Sequence, residues 1–268
     1  MLFFHLFRSL GYLLYGVCQR WRALRANPQN IITPLDKHYT YVYAGLRMVD
    51  ILGHVNNSKY LEICELARWH FGGYSGLFPV LLKARVNFVA ASVVMQFVRE
   101  MPPFRRYLVT TEVLRFEGAN DSGTNTSSNI INTTPSAETS KGSDGNDTPR
   151  DGRVVLVQEI WSADGKKLYA GVLFRAALVG DANSPIALPS TGERRGRSAP
   201  LCCSSAFAVN GTTTTEVKAM AAKNTERFYA RMGFNASKDI AEGKDWIDGT
   251  RQIERAWRSG LRNVKSPQ

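Results

Sequence analysis

Apolar and polar residues alternate along this chain in ways that predict its elements. At the amino terminus the apolar residues are nearly continuous: Leu2, Phe3, Phe4, Leu6 and Phe7 lead to Arg8, and an uncharged stretch from Ser9 to Gln19 follows. Tyr41, Tyr43 and the run Leu46 to Val49 read as a strand within Tyr39 to Val49. Between His54 and about Gly72, Tyr60, Ile63, Cys64, Ala67 and Phe71 recur at helical spacing, which predicts one long helix with a continuous apolar stripe. Asn56, Asn57 or Ser58 can cap its start, and Gly72-Gly73 is placed to stop it. Leu77 to Leu82 is a short apolar turn or second helix. Ala84 to Glu100, Arg106 to Phe116, Arg153 to Trp161 and Lys167 to Val179 then read as strands. Asp164-Gly165 gives the last pair a two-residue hairpin signal. The order is strand, long helix, four strands.

Two polar stretches interrupt this order. Gly118 to Gly152 is almost all Asn, Ser, Thr, Gly, Asp and Pro and can bury almost nothing, so it reads as a disordered insertion (118–152) between neighbouring strands. Loop closure costs grow slowly with length, so a sheet tolerates it. Its Asn-x-Ser/Thr triplets follow from so biased a composition and are not read as glycosylation sites. Residues 181–210 form a second polar linker. Beyond it, 211–268 is a basic extension with helical patterns at Thr214 to Phe234 and Trp246 to Arg262. The folded unit is expected at 36–180.

The chain carries 34 Lys plus Arg against 23 Asp plus Glu, a net charge of +11. The surplus lies at the two ends while the middle is nearly balanced, so nucleic acid is not the expected partner. Residues 1–27 contain no acid, and the first acidic residue is Asp36. Three readings of this segment stand: a short membrane anchor, an interfacial amphipathic helix, or an Arg-rich presequence. An ordinary core helix fits less well, since the segment precedes the folded unit and is apolar nearly all round. Membrane association through 1–27 is expected, at the endoplasmic reticulum or a mitochondrion. The four cysteines, Cys18, Cys64, Cys202 and Cys203, form no CxxC spacing and suit a reducing compartment. Four unclustered histidines give no metal site, and no glycine-rich phosphate loop or nucleophile elbow calls for a cofactor or a serine mechanism.

Chemistry concentrates between Asp50 and Arg68, where an acid, a histidine and two asparagines stand at the junction of a strand and an apolar helix. A helix start offers free N–H groups and the positive end of a dipole, which can hold an oxyanion. A carboxylate beside it can act as base or nucleophile. Cys64 falls on the apolar stripe and reads as core. Asp50, then His54-Val55-Asn56-Asn57, then Tyr60, Glu65 and Ala67-Arg68 resemble the signature of hotdog-fold acyl thioesterases, of the 4-hydroxybenzoyl-CoA and plant acyl-carrier types. The likeness is closest to the group called thioesterase superfamily member six.

The resemblance implies an α+β hotdog domain, a curved antiparallel sheet wrapped round the long helix, which pairs into a homodimer or higher oligomer. It implies hydrolysis of an acyl-CoA with Asp50 as base or nucleophile, the Asn57 N–H as oxyanion donor, Glu65 orienting water or ligand, and His54 as the histidine of the plant motif. Asn56 and Tyr60 would lie against substrate, and Lys59, Lys83 or Arg85 would meet the CoA phosphates. The plant pattern has an asparagine two residues before its histidine; here Leu52 stands there. A membrane-tethered acyl-binding or scaffold protein without turnover is the alternative.

Overall fold

The computed structural model describes residues 2–27, 32–118, 151–180, 203–209 and 211–232. The expected helix at Trp246 to Arg262 and most of the 118–152 and 181–210 segments lie outside these residues. Five helices occur among the described residues: α1 (Leu2–Ala26), α2 (Asn57–Ser75), α3 (Leu77–Ala84), α4 (Cys203–Phe207) and α5 (Thr214–Arg231). The strands are β1 (His38–Ala44), β2 (Val86–Phe97), β3 (Arg105–Gly118), β4 (Asp151–Ser162) and β5 (Leu168–Gly180).

The strands form one antiparallel sheet in the order β1-β3-β4-β5-β2. β1 alternates strictly, with His38, Thr40, Val42 and Ala44 buried and three tyrosines between them exposed, which fixes its register because a one-residue slip would invert every side chain. Gly165 adopts φ 71° at the β4–β5 turn, in a backbone region that glycine enters without penalty. Gly118 pairs with Asp151, so the strands flanking the insertion run together up to its ends.

The sheet wraps α2. Tyr60, Ile63, Cys64 and Ala67 pack among Val42, Ala44, Val109, Ile160, Ala170 and Val172, each essentially inaccessible to water. Gln158, the polar residue among the inward-facing Val154, Leu156 and Ile160 of β4, donates to the Cys64 carbonyl and to Thr111 Oγ1, both at 3.0 Å. This is the hotdog arrangement.

Three local expectations change. The helix begins at Asn57 rather than His54, because Asn56 supplies the cap: its Oδ1 accepts from Ser58 N–H at 2.9 Å. It does not stop at Gly72-Gly73 but continues to Ser75, where Gly76 turns left-handed at φ 80°. Finally, α1 does not stand apart from the folded unit. It lies along α2 at a glycine-glycine crossing. A Cβ on Gly16 would sit 2.3 Å from the His70 carbonyl oxygen, and one on Gly73 would sit 2.4 Å from that of Leu13. Two backbones can approach this closely only where both lack side chains, so Gly73 serves as a contact and not as a stop. Arg8 adds a 2.8 Å ion pair to Glu62 and a 3.0 Å hydrogen bond to the Tyr43 carbonyl, and Arg20 donates to the Tyr74 carbonyl at 3.0 Å. No described helix is long and apolar enough to cross a membrane.

Under α1, His38 Nε2 and His70 Nδ1 lie 2.8 Å apart, and burial lowers their pKa values to about 3 and about 4.

The far side of the sheet is covered by α5, whose Phe228 and Tyr229, with Met232 just beyond its end, pack against Leu114, Val155, Val157, Trp161 and Leu173. Thr213 and Glu216 form a reciprocal capping box at its start. β3 carries a register shift between Val113 and Arg115. Asn224 and Thr225 of α5 donate to the Val113 and Leu114 carbonyls there. Residues 203–209, expected as the end of a linker, instead contain α4, with Cys203, Ala206 and Phe207 buried.

Candidate active site

After β1 the chain makes one 3-10 turn, Leu46–Met48, and then doubles back. Val49 and Val55 form an antiparallel bridge, the Asp50 N–H donates to the His54 carbonyl at 3.0 Å, and the Asn56 N–H donates to the Met48 carbonyl at 2.8 Å. Gly53, at φ 81°, provides the reversal. The loop holds Asp50 opposite His54, at the point where the chain enters α2. Asp50 Oδ1 accepts the Leu52 N–H at 2.9 Å, and Oδ2 lies 3.2 Å from His54 Nδ1. The two side chains are 17% and 25% exposed, so the pair is oriented yet reachable. Leu52 thus contributes its amide, while its side chain points to water at 75% exposure.

Asn57 is the first helical residue. Among the described residues its N–H has no acceptor, the cap oxygen of Asn56 being taken by the Ser58 N–H and Oγ. An exposed, unpaired amide therefore stands at the positive end of α2 beside the Asp50–His54 turn, which are the two parts acyl transfer needs.

The remaining expected residues are placed differently. Asn56 is occupied with capping. Tyr60 is buried, accepting from the Met101 N–H at 3.0 Å and donating to the Arg99 carbonyl at 3.3 Å, so its hydroxyl ties the helix to the β2–β3 connection. Glu65 lies two turns along α2, within 3.3 Å of His5 Nε2 and 3.4 Å of Trp69 Nε1, on the flank facing α1. Lys59 pairs with Glu62 at 2.9 Å. Arg85 caps α3 at φ 53° and is exposed at the start of β2. Cys64 is core, its thiol pushed up to about 12 by burial. Among the described residues no three His, Cys, Asp or Glu side chains cluster as metal ligands.

Two residues without a role in the sequence reading have one here. Arg8 fastens α1 to the site-bearing helix, and its only sequence signal was a charge interrupting an apolar run. Arg68 donates to Gln158 Oε1 at 2.6 Å, and its guanidinium carbon lies 4.1 Å from the ring centroid of Phe174. A single glutamine following Val154-Val155-Leu156-Val157 was the legible sign that something polar faces it.

The sequence finds no match among curated proteins. Among solved structures it is similar to YbaW, a probable thioesterase from Escherichia coli, at 17% identity and TM-score 0.40, covering 55% of this chain and 85% of that one. It is likewise similar to a probable thioesterase from Bartonella henselae, at 18% identity and TM-score 0.38, covering 58% and 99%. A third is Slr0204, a 1,4-dihydroxy-2-naphthoyl-CoA thioesterase from Synechocystis, at 13% identity and TM-score 0.37, covering 58% and 90%. Residues 44–179, half of the chain, match the model of the thioesterase-like superfamily as a whole, without singling out the member-six group. The matched span contains β1's end, the Asp50 turn, α2 and the four remaining strands, and the chain belongs to the thioesterase-like superfamily.

Proposed function

We propose that the protein hydrolyses acyl-CoA thioesters, with Asp50 as base. The observation that carries this is the pairing of a carboxylate, held by the Leu52 amide and His54, with the unbonded Asn57 N–H at the start of α2. The thioester oxygen would rest on that N–H. Asp50 would take a proton from a water molecule as its oxygen bonds to the carbonyl carbon. The tetrahedral intermediate would then collapse, breaking the C–S bond, and the thiolate would recover the proton. Free acid and CoA thiol result. His54 holds the Asp50 carboxylate in place, and Glu65 is the candidate for orienting water.

Two copies joined along β2 complete the reading. This strand is an edge of the sheet, twelve residues long, and exposes Val89, Val93 and Phe97. A long apolar edge is a template for a second strand. Lys59 and Arg85 are the candidate contacts for the CoA phosphates. A membrane surface is a further proposed partner, favoured by a stripe on the outer face of α1: Phe7, Leu10, Leu14, Val17 and Trp21 are exposed at helical spacing on an acid-free helix. Vesicles containing anionic lipid should sediment the full chain, and Leu14→Glu should release it.

The decisive experiment compares thiol release from an acyl-CoA series by wild type, Asp50→Asn and Asn57→Pro. Proline is tolerated at the first helical position and removes the amide hydrogen, and Asn57→Ala controls for the side chain lost with it. Asp50→Asn should lose about 10²- to 10⁴-fold and Asn57→Pro about 10²- to 10³-fold. Equal background release by all three, with acyl-CoA still bound, would leave an acyl-binding protein instead.

A further inference from the structure

α2 shields the inner face of β5 and covers that of β2 only in part, where Tyr60 meets Phe97 and Met95 packs against the core. In the β2–β5 register, Val93 stands opposite Phe174, Met95 opposite Val172 and Phe97 opposite Ala170. The three β5 residues are buried, yet Val93 and Phe97 remain 39% and 41% exposed. An apolar strip is therefore open between α2 and β2. One end lies where Phe97 meets Tyr60 edge-on, ring centroids 5.1 Å apart, in the first turn of α2. The other end lies at Phe174, Val93's neighbour, against which Arg68 stacks. From Asn57 to Arg68 the helix rises roughly 16 Å.

Arg68 is the anomaly of that strip. It is partly buried, and burial lowers its pKa. Its hydrogen bond is to a neutral amide, Gln158, and among the described residues no carboxylate lies within ion-pair distance. Glu65, one turn earlier, is turned toward His5. A guanidinium has five donors in a fork suited to a carboxylate; Gln158 meets one of them, and Glu65 acts on the charge only from beyond ion-pair distance, so a closer anion would be favoured.

We infer that Arg68 recognises the far end of the acyl chain, and that the preferred acyl group is a medium-length one ending in a carboxylate. The reacting carbonyl would sit at the Asn57 amide, the methylenes along Phe97 and Val93, and the terminal carboxylate on the free edge of the Arg68 fork. This inference rests on the thioesterase reading for its orientation, but the recognition itself does not require turnover.

The test compares sebacoyl-CoA, which ends in a carboxylate, with decanoyl-CoA, which has the same length and ends in a methyl group. Wild type should favour sebacoyl-CoA in kcat/KM by about ten- to a hundredfold. Arg68→Met should abolish or invert that ratio, and Arg68→Lys, which keeps the charge without the fork, should retain part of it. Should no thioester be cleaved, the hydrolase reading falls, and the same ratio is read from equilibrium binding of the two esters. A wild type that does not prefer sebacoyl-CoA by either measurement, or a preference unchanged in Arg68→Met, overturns the inference.

Discussion

At Asp50 the two carboxylate oxygens have different neighbours, and this separates two kinds of substitution. Oδ1 is held by the backbone of Leu52, which any side chain except proline leaves in place. Leu52→Ala should therefore change kcat/KM by no more than about twofold, as for other surface replacements. His54→Gln, which touches Oδ2, should lower kcat while leaving the thermal midpoint close to wild type. Initial-rate kinetics and a melting curve check both. The buried pair His38 and His70 belongs to stability. Both are neutral when folded, with values depressed to about 3 and about 4 from an ordinary 6.5, so the unfolded chain takes up their protons first. Stability from this pair is whole above pH 6.5 and is lost as pH falls from 6.5 towards 4. Urea titrations across that range should show the midpoint dropping, with less of a slope in a His70→Gln variant.

Among the elements, the helix crossing has the sharpest requirement. Gly16→Val would drive a side chain into the His70 carbonyl and should cost about 1–3 kcal/mol of stability by denaturant titration. The sequence displayed α2 and the strands well, because a buried helix keeps a 3.6-residue rhythm and β1 a two-residue one. The candidate site was legible as a cluster, since Asp50, His54 and Asn57 lie within eight residues and one turn brings Asp50 against His54. The docking of α1 was illegible for a physical reason. Gly16 and Gly73 are informative only as a pair, and they come from segments far apart in the chain. Composition alone makes α1 resemble a lipid-facing segment, since its outer stripe is indeed apolar. The α4 helix was hidden likewise: Cys203 and Phe207 are ordinary in a polar stretch until the sheet end they fill is known.

For the molecule as a whole, α1 covers one flank of α2, α5 covers the outer face of the sheet, and β2 is the long edge left open. If two copies join there, Val89→Lys should shift the mass measured by light scattering from dimer to monomer, since Val89 is 51% exposed on that strand. The pairing of Gly118 with Asp151 carries a different consequence. Because departure and return share one rung of the ladder, a protease cut anywhere in 119–150 would give two fragments on a denaturing gel and a single particle on a sizing column. Foreign sequence spliced between those rungs should cost the sheet little, because the two flanking strands stay paired whatever joins them.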